Sequence, residues 1–157
     1  MPVKLPNGAY VYDPNSPNGY LMAPISDLSN VAAAGKALRQ EWKDDLKGTH
    51  VRAAIQALYG GLKGGVGHNG DFDYQRATLV SGSLQQLRQF RDVSNFDVGL
   101  LGQQAGLSLT EVLNLAGDYA RENKTLNYKP NEPYGLDPRT MEWEVIGYDL
   151  GERLYGQ

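Results

Sequence analysis

Cysteine is absent from all 157 residues. That excludes a disulfide framework, a thiolate metal site and a thiol nucleophile. It leaves the compartment open, because a cytosolic protein and one unfolded for passage through a secretion machine both do without cysteine. Histidine is almost as scarce, and two separated imidazoles, His50 and His68, do not supply the common zinc ligand sets. Neither a metal nor a cofactor is therefore implied. A long apolar run is also missing: Val31 to Leu38 is the richest stretch, and Gly35 and Lys36 break it well short of a membrane span. The N-terminal Met-Pro-Val-Lys-Leu-Pro-Asn lacks the apolar centre of a signal peptide, so the chain is expected to have no signal peptide of its own. Nor is there a basic surplus, with 15 Lys and Arg against 18 Asp and Glu and a net charge of −3. Phosphate neutralisation drives nucleic-acid affinity, so this balance argues against a tight nucleic-acid binder. It argues less against a nuclease that holds its substrate briefly.

The length fits one domain, with enough chain to bury a core unaided. Residues 1–25 form an irregular arm rich in Pro, Asn, Gly and Tyr, with turns at Pro6-Asn7-Gly8 and Pro14 to Gly19 and a short strand between them at Tyr10-Val11-Tyr12. Residues 26–70 hold two helices and a glycine-rich loop. Leu28, Val31, Ala32, Gly35, Leu38 and Trp42 share one helical face, and Gly48 stops that helix. Thr49 would cap the second, whose stripe runs from Val51 to Leu62 before a flexible loop from Gly60 to Gly70. Residues 71–157 make up the rest of the domain. Ala77 to Val80 suggests a short strand, Leu84 to Phe90 a helical turn or two, and Asn95 to Ala105 a further helix. Ser108-Leu109-Thr110-Glu111 is a capping box. Asp137 as N-cap and Pro138 at the first helical position begin a last helix with Trp143, Ile146, Gly147, Leu150 and Leu154 inward. The expected fold is a mainly α, single compact helical domain of about five helices with at most a small β-hairpin.

Three segments carry a family likeness by their order: Asp71-Phe72-Asp73-Tyr74-Gln75, then Ser94-Asn95-Phe96-Asp97-Val98-Gly99, then Pro133-Tyr134-Gly135-Leu136-Asp137-Pro138-Arg139. Together they resemble the bacterial polymorphic toxin type 44 family, over about residues 70 to 155. Phe72, Val98 and Leu136 depart from it, standing where tryptophan, tyrosine and aspartate are commoner. Leu136 can neither bind a metal nor move a proton, which removes a second acid from that loop. The resemblance implies an antibacterial toxin or effector domain, delivered into a target bacterial cell by a larger secreted protein or a secretion apparatus and neutralised by a cognate immunity protein. It implies hydrolysis of RNA.

Individual residues carry competing readings. Gly65-Val66-Gly67-His68-Asn69-Gly70 spells the dinucleotide fingerprint but follows a helix, so it reads as a loop. His68, near Asp71 and Asp73, is a candidate general acid or base. Asp73 would orient a histidine, hold an arginine or act as an acid if buried. Capping accounts for Asp137. It does not account for Arg139, since a cation in the first helical turn opposes the dipole by a few tenths of a kcal/mol. Arg139 therefore calls for a partner: a carboxylate such as Asp73, or a substrate phosphate matched to its planar fork. Arg76, Arg88 and Arg91 would form a basic patch with Tyr74, or else a scattered solvated face.

Three functions follow. The first is a metal-independent ribonuclease using Asp73, Arg139, His68 and Asp137 for catalysis and Tyr74, Gln75, Asn95 and Tyr134 for substrate binding. The second is a muramidase-like peptidoglycan hydrolase with Asp73, Asp137 and Glu142 as candidate carboxyls. The third is a non-enzymatic binding or structural module of a phage or secretion apparatus.

Overall fold

A computed structural model describes residues 1–47, 51–67, 70–73, 76–78, 84–86 and 88–156. The expected Thr49 cap and the positions of His50, His68, Tyr74, Gln75 and Leu79-Val80 lie outside those residues. Among the described residues five α-helices dominate: α1 (Ser29–Lys47), α2 (Val51–Val66), α3 (Arg91–Gln104), α4 (Leu109–Glu122) and α5 (Pro138–Leu154). The only paired strands among the described residues are β1 (Arg76–Thr78) and β2 (Leu84–Gln86), three residues each and antiparallel, with Ala77 opposite Gln85. The mainly α expectation holds.

Helix ends follow local chemistry. The Asp27 side chain accepts from Ser29 N at 2.8 Å, starting α1. Ser108 Oγ accepts from Glu111 N while Glu111 Oε1 accepts from Ser108 N, both at 3.1 Å, so the capping box closes. Asp137 Oδ1 accepts from Arg139 N at 2.9 Å with Pro138 inside the first turn.

Two expectations are corrected. Leu84 to Gln86, good helix formers, are drawn into a strand by pairing with β1, and only Arg88–Phe90 makes a 3₁₀ turn before α3 begins at Arg91. Gly60 to Val66 is helix, not loop. Two of its four glycines sit close against neighbours: a Cβ on Gly61 would collide with the Leu38 side chain, and one on Gly65 would lie 2.8 Å from Leu101, while Gly60 and Gly64 face open space.

The core lies around α3, which packs on α1, α2, α4 and, most extensively, α5. Val93, Phe96, Leu100 and Leu101 are fully buried there, joined by Val3, Leu21, Leu28, Val31 and Trp143. The contact between α3 and α5 is backbone to backbone. A Cβ on Gly99 would strike the Glu144 carbonyl, and one on Gly147 would strike the Phe96 carbonyl. A smaller cluster of Leu113, Ala120 and Leu136 fixes the closing loop, which explains the apolar residue at 136. No described helix is long and apolar enough to cross a membrane.

Candidate active site

The close α3–α5 crossing positions a cleft of about 110 Å³ between α2, α3, α4 and α5. Along α3, Ser94, Asn95, Val98 and Gly102 line it; along α5, Thr140 and Glu144 do so, one helical turn apart. Asp73 closes it from the other side. Its position is set by a fold-back onto α2: Asp71 N donates to Gly64 O at 3.0 Å, Phe72 N to Gly65 O at 2.7 Å and Asp73 N to Gly70 O at 3.1 Å. A Cβ on Gly70 would sit 2.6 Å from the Gly65 carbonyl, so this return needs glycine there. The glycine-rich segment is thus a device for bringing an acid to the cleft.

The walls are apolar, with Tyr59 and Tyr119 among them, and the polar floor is buried. Exposure is 7% for Asp73 and Asn95, 2% for Glu144 and 1% for Thr140. Asn95 Nδ2, Thr140 Oγ1 and Glu144 Oε2 have no hydrogen-bond partner among the described residues. Leaving one such group unpaired costs about 1–3 kcal/mol, so three in one cleft mark a place shaped for something other than stability. Burial pushes the Glu144 carboxyl well above the usual carboxylate range. Asp97, on α3, is fully enclosed with neither oxygen partnered among the described residues; burial, and then the nearby Asp73 charge, raise it well above that range too.

Arg139 is elsewhere. It grips Asp92 in a fork, Nε to Oδ1 at 2.8 Å and Nη2 to Oδ2 at 3.1 Å. The carboxylate partner it called for is therefore Asp92, where Asp73 had been the candidate. Arg91 meets Asp137 at 3.5 Å, so the first turns of α3 and α5 exchange two ion pairs. Asp13, from the arm, shares a hydrogen bond with Asp92, and Asn15 Nδ2 donates to Asp92 Oδ2 at 3.4 Å. Burial, then the Asp92 hydrogen bond, pushes Asp13 up to about 6, against Asn15 N and Arg139. Burial also presses Asp92 upward, but Arg139, Asp13 and Asn15 outweigh it and hold that carboxyl below its ordinary value. These groups line a second cavity of about 340 Å³, with Asn18, Met22 and Gln89 at its sides.

Of the residues singled out in the sequence, Asp73 and Asn95 meet in the first cleft. Arg139 lines the second cavity, and Asp137 is a cap paired with Arg91. Tyr134 is exposed at positive φ (58°), its carbonyl pressed against Gly117, and lines neither cavity. His68, Tyr74 and Gln75 lie outside the described residues. Glu142 is exposed; Glu144 is the α5 acid in the cleft. Thr140, Glu144, Gly147 and Gly151, all buried, recur at helical spacing, a signal that would have placed Glu144 inward. Among the described residues no cluster of acids and histidines suits a metal ion.

Compared with protein-family models, curated proteins and solved structures, the chain has no match in any of the three.

Proposed function

We propose that this chain is a hydrolytic antibacterial effector that cleaves a glycosidic bond in peptidoglycan, with Glu144 and Asp73 as its two working carboxyls. The observation that carries the reading is a buried Glu144, its Oε2 without a partner among the described residues and its protonated form favoured, lining one cleft with Asp73. Glycoside hydrolysis needs that division of labour: one carboxylic acid to protonate the leaving oxygen, and a carboxylate to activate water or stabilise the sugar cation. Glu144 takes the first role and Asp73 the second. Asn95 Nδ2 and Thr140 Oγ1 are buried without a partner among the described residues, a need that sugar hydroxyl or amide groups entering the cleft would meet, and Tyr59 and Tyr119 in its lining add aromatic surface of the kind that packs on sugars. Together with the type 44 resemblance, this supports reading the chain as a delivered toxin that acts on the wall of a target bacterium and is held in check by an immunity protein in the producer.

Ribonuclease chemistry is less well served. Lys63 is the one cation among the described cleft residues, and it lies over the Tyr59 ring at 4.5 Å. Arg139, the group suited to phosphate, is already paired with Asp92. The test is release of soluble muropeptides from purified sacculi by the full chain, alongside cleavage of total RNA. Release without RNA cleavage supports the wall reading; RNA cleavage without release refutes it and restores the ribonuclease.

A further inference from the structure

The arm that composition marks as irregular is three short extended segments joined to one another by isolated antiparallel bridges. Bridges join Pro2 to Met22, Lys4 to Tyr10 and Tyr12 to Tyr20. Val3 N donates to Leu21 O, and Leu21 N to Val11 O, both at 2.8 Å. Alternation then sorts its side chains. Val3, Leu5, Val11, Leu21 and Ala23 point into the main core. The other face shows Tyr10, Tyr12 and Tyr20, exposed by 52%, 72% and 43%.

Tyr10 and Tyr20 hold their ring centroids 5.4 Å apart, tilted by 54°, while Tyr12 stands across the ladder from Tyr20. All three rings stand on a support anchored in the core, and all three are exposed. Isolated exposed aromatics need no explanation, whereas three on one face of a core-anchored ladder are an unusual concentration of uncovered ring surface. The chain as a whole is acidic, yet the outward residues of this ladder include one charged group, the exposed Lys4, and no carboxylate. Asn18 and Met22 connect this face to the mouth of the 340 Å³ cavity.

We propose that Tyr10, Tyr12 and Tyr20 form an accessory platform that holds a peptidoglycan strand, sugars on the rings and a stem-peptide carboxylate toward Lys4, apart from the cleft that cuts it. Ring faces stack on the apolar faces of sugars, phenol hydroxyls reach sugar hydroxyls, and Lys4 answers a carboxylate on the strand. Such a surface would keep the effector on an insoluble substrate between cuts. The inference rests on the wall-hydrolase reading for its choice of ligand, and it is tested by binding and not by cleavage.

The experiment is co-sedimentation of the full chain with purified sacculi, using Glu144→Gln as background so that the polymer stays intact, with anionic phospholipid vesicles in parallel. Tyr12→Ala is expected to weaken sedimentation about tenfold, and Tyr12→Trp to preserve it. Circular dichroism checks that each variant folds. Unchanged sedimentation of a folded Tyr10→Ala, Tyr12→Ala, Tyr20→Ala triple variant overturns the platform, as does sedimentation with vesicles but not with sacculi. A wild type that fails to release muropeptides yet sediments with sacculi through these tyrosines removes the hydrolase reading and leaves the platform standing.

Discussion

Asp13→Asn isolates the carboxyl pair that ties the arm to the helical core. Asp13 is 3% exposed and faces Asp92 from α3, Arg139 from α5 and Asn15 within its own turn, with Asp137 and Arg91 just beyond. Its proton is held more tightly in the folded chain, where it is pushed up from 3.8 to about 6. A carboxyl raised in this way stabilises the fold fully below its ordinary value, and the contribution is lost as pH rises through about 6. Between about pH 7.5 and pH 5, an ideal shift of that size adds about 1.4 kcal/mol on acidification, and partial hydration trims it to about 1 kcal/mol. Asparagine keeps the Oδ1 that accepts from Asn15 N and supplies a permanent donor toward Asp92. The variant should therefore gain about 1 kcal/mol on the wild type as pH is raised from about 5 to about 7.5. In this size range that is about 2–4 °C in Tm. Asp97 and Glu144 titrate alike in both proteins and cancel in the difference, and Asp92 stays ionised across that window. The assay is urea unfolding of both chains at the two pH values. A difference that stays flat with pH, or that favours the wild type at the higher pH, would refute the pairing.

The other predictions follow from the same contacts. Arg139→Ala leaves Asp92 buried beside Asp13 without its cation; chemical denaturation should show a loss of about 3 kcal/mol, which a second Asp92→Asn substitution partly restores. That recovery would place Arg139 in the fold and not on a substrate phosphate. Gly147→Ala drives a methyl into the Phe96 carbonyl across the α3–α5 crossing and should cost about 3 kcal/mol or more, read as a fall in Tm. Ser108→Ala opens the capping box and should cost about 1 kcal/mol, a small control on the same scale. Asp97→Asn, by removing an enclosed acid with no partner, should raise stability at neutral pH by about 1 kcal/mol, with the gain shrinking as acid protonates the wild type.

Legibility in the sequence followed the range of the interaction involved. The capping box at Ser108 and the Asp137-Pro138 start of α5 are local chemistry, and both were readable. Arg139 was readable as a residue in need of a partner, because its place in the first helical turn is unfavourable. Which carboxylate answers it depends on the α3–α5 crossing, and only the fold names Asp92. The glycines from Gly60 to Gly70 signal a loop by composition, yet several permit close helix packing and the return that seats Asp73. Leu84 to Gln86 is a strand because β1 lies beside it, a relation that no window of propensity contains. The tyrosine face of the arm needed the pairing of residues 2–4, 10–12 and 20–22, which its short segments hide. Glu144 does not stand out in the sequence, although its spacing from Thr140 and Gly147 is that of one helical face, because a buried acid on such a face carries no local motif.

The most direct test of the account is muropeptide release from sacculi by Glu144→Gln beside the wild type, with Tm measured on both. The substitution removes the acid while keeping its shape, and it relieves a buried ionisable group. Release should fall by at least about a hundredfold, as expected for loss of a general acid, while Tm holds or rises. Release at the wild-type rate from a folded Glu144→Gln chain would contradict the central claim.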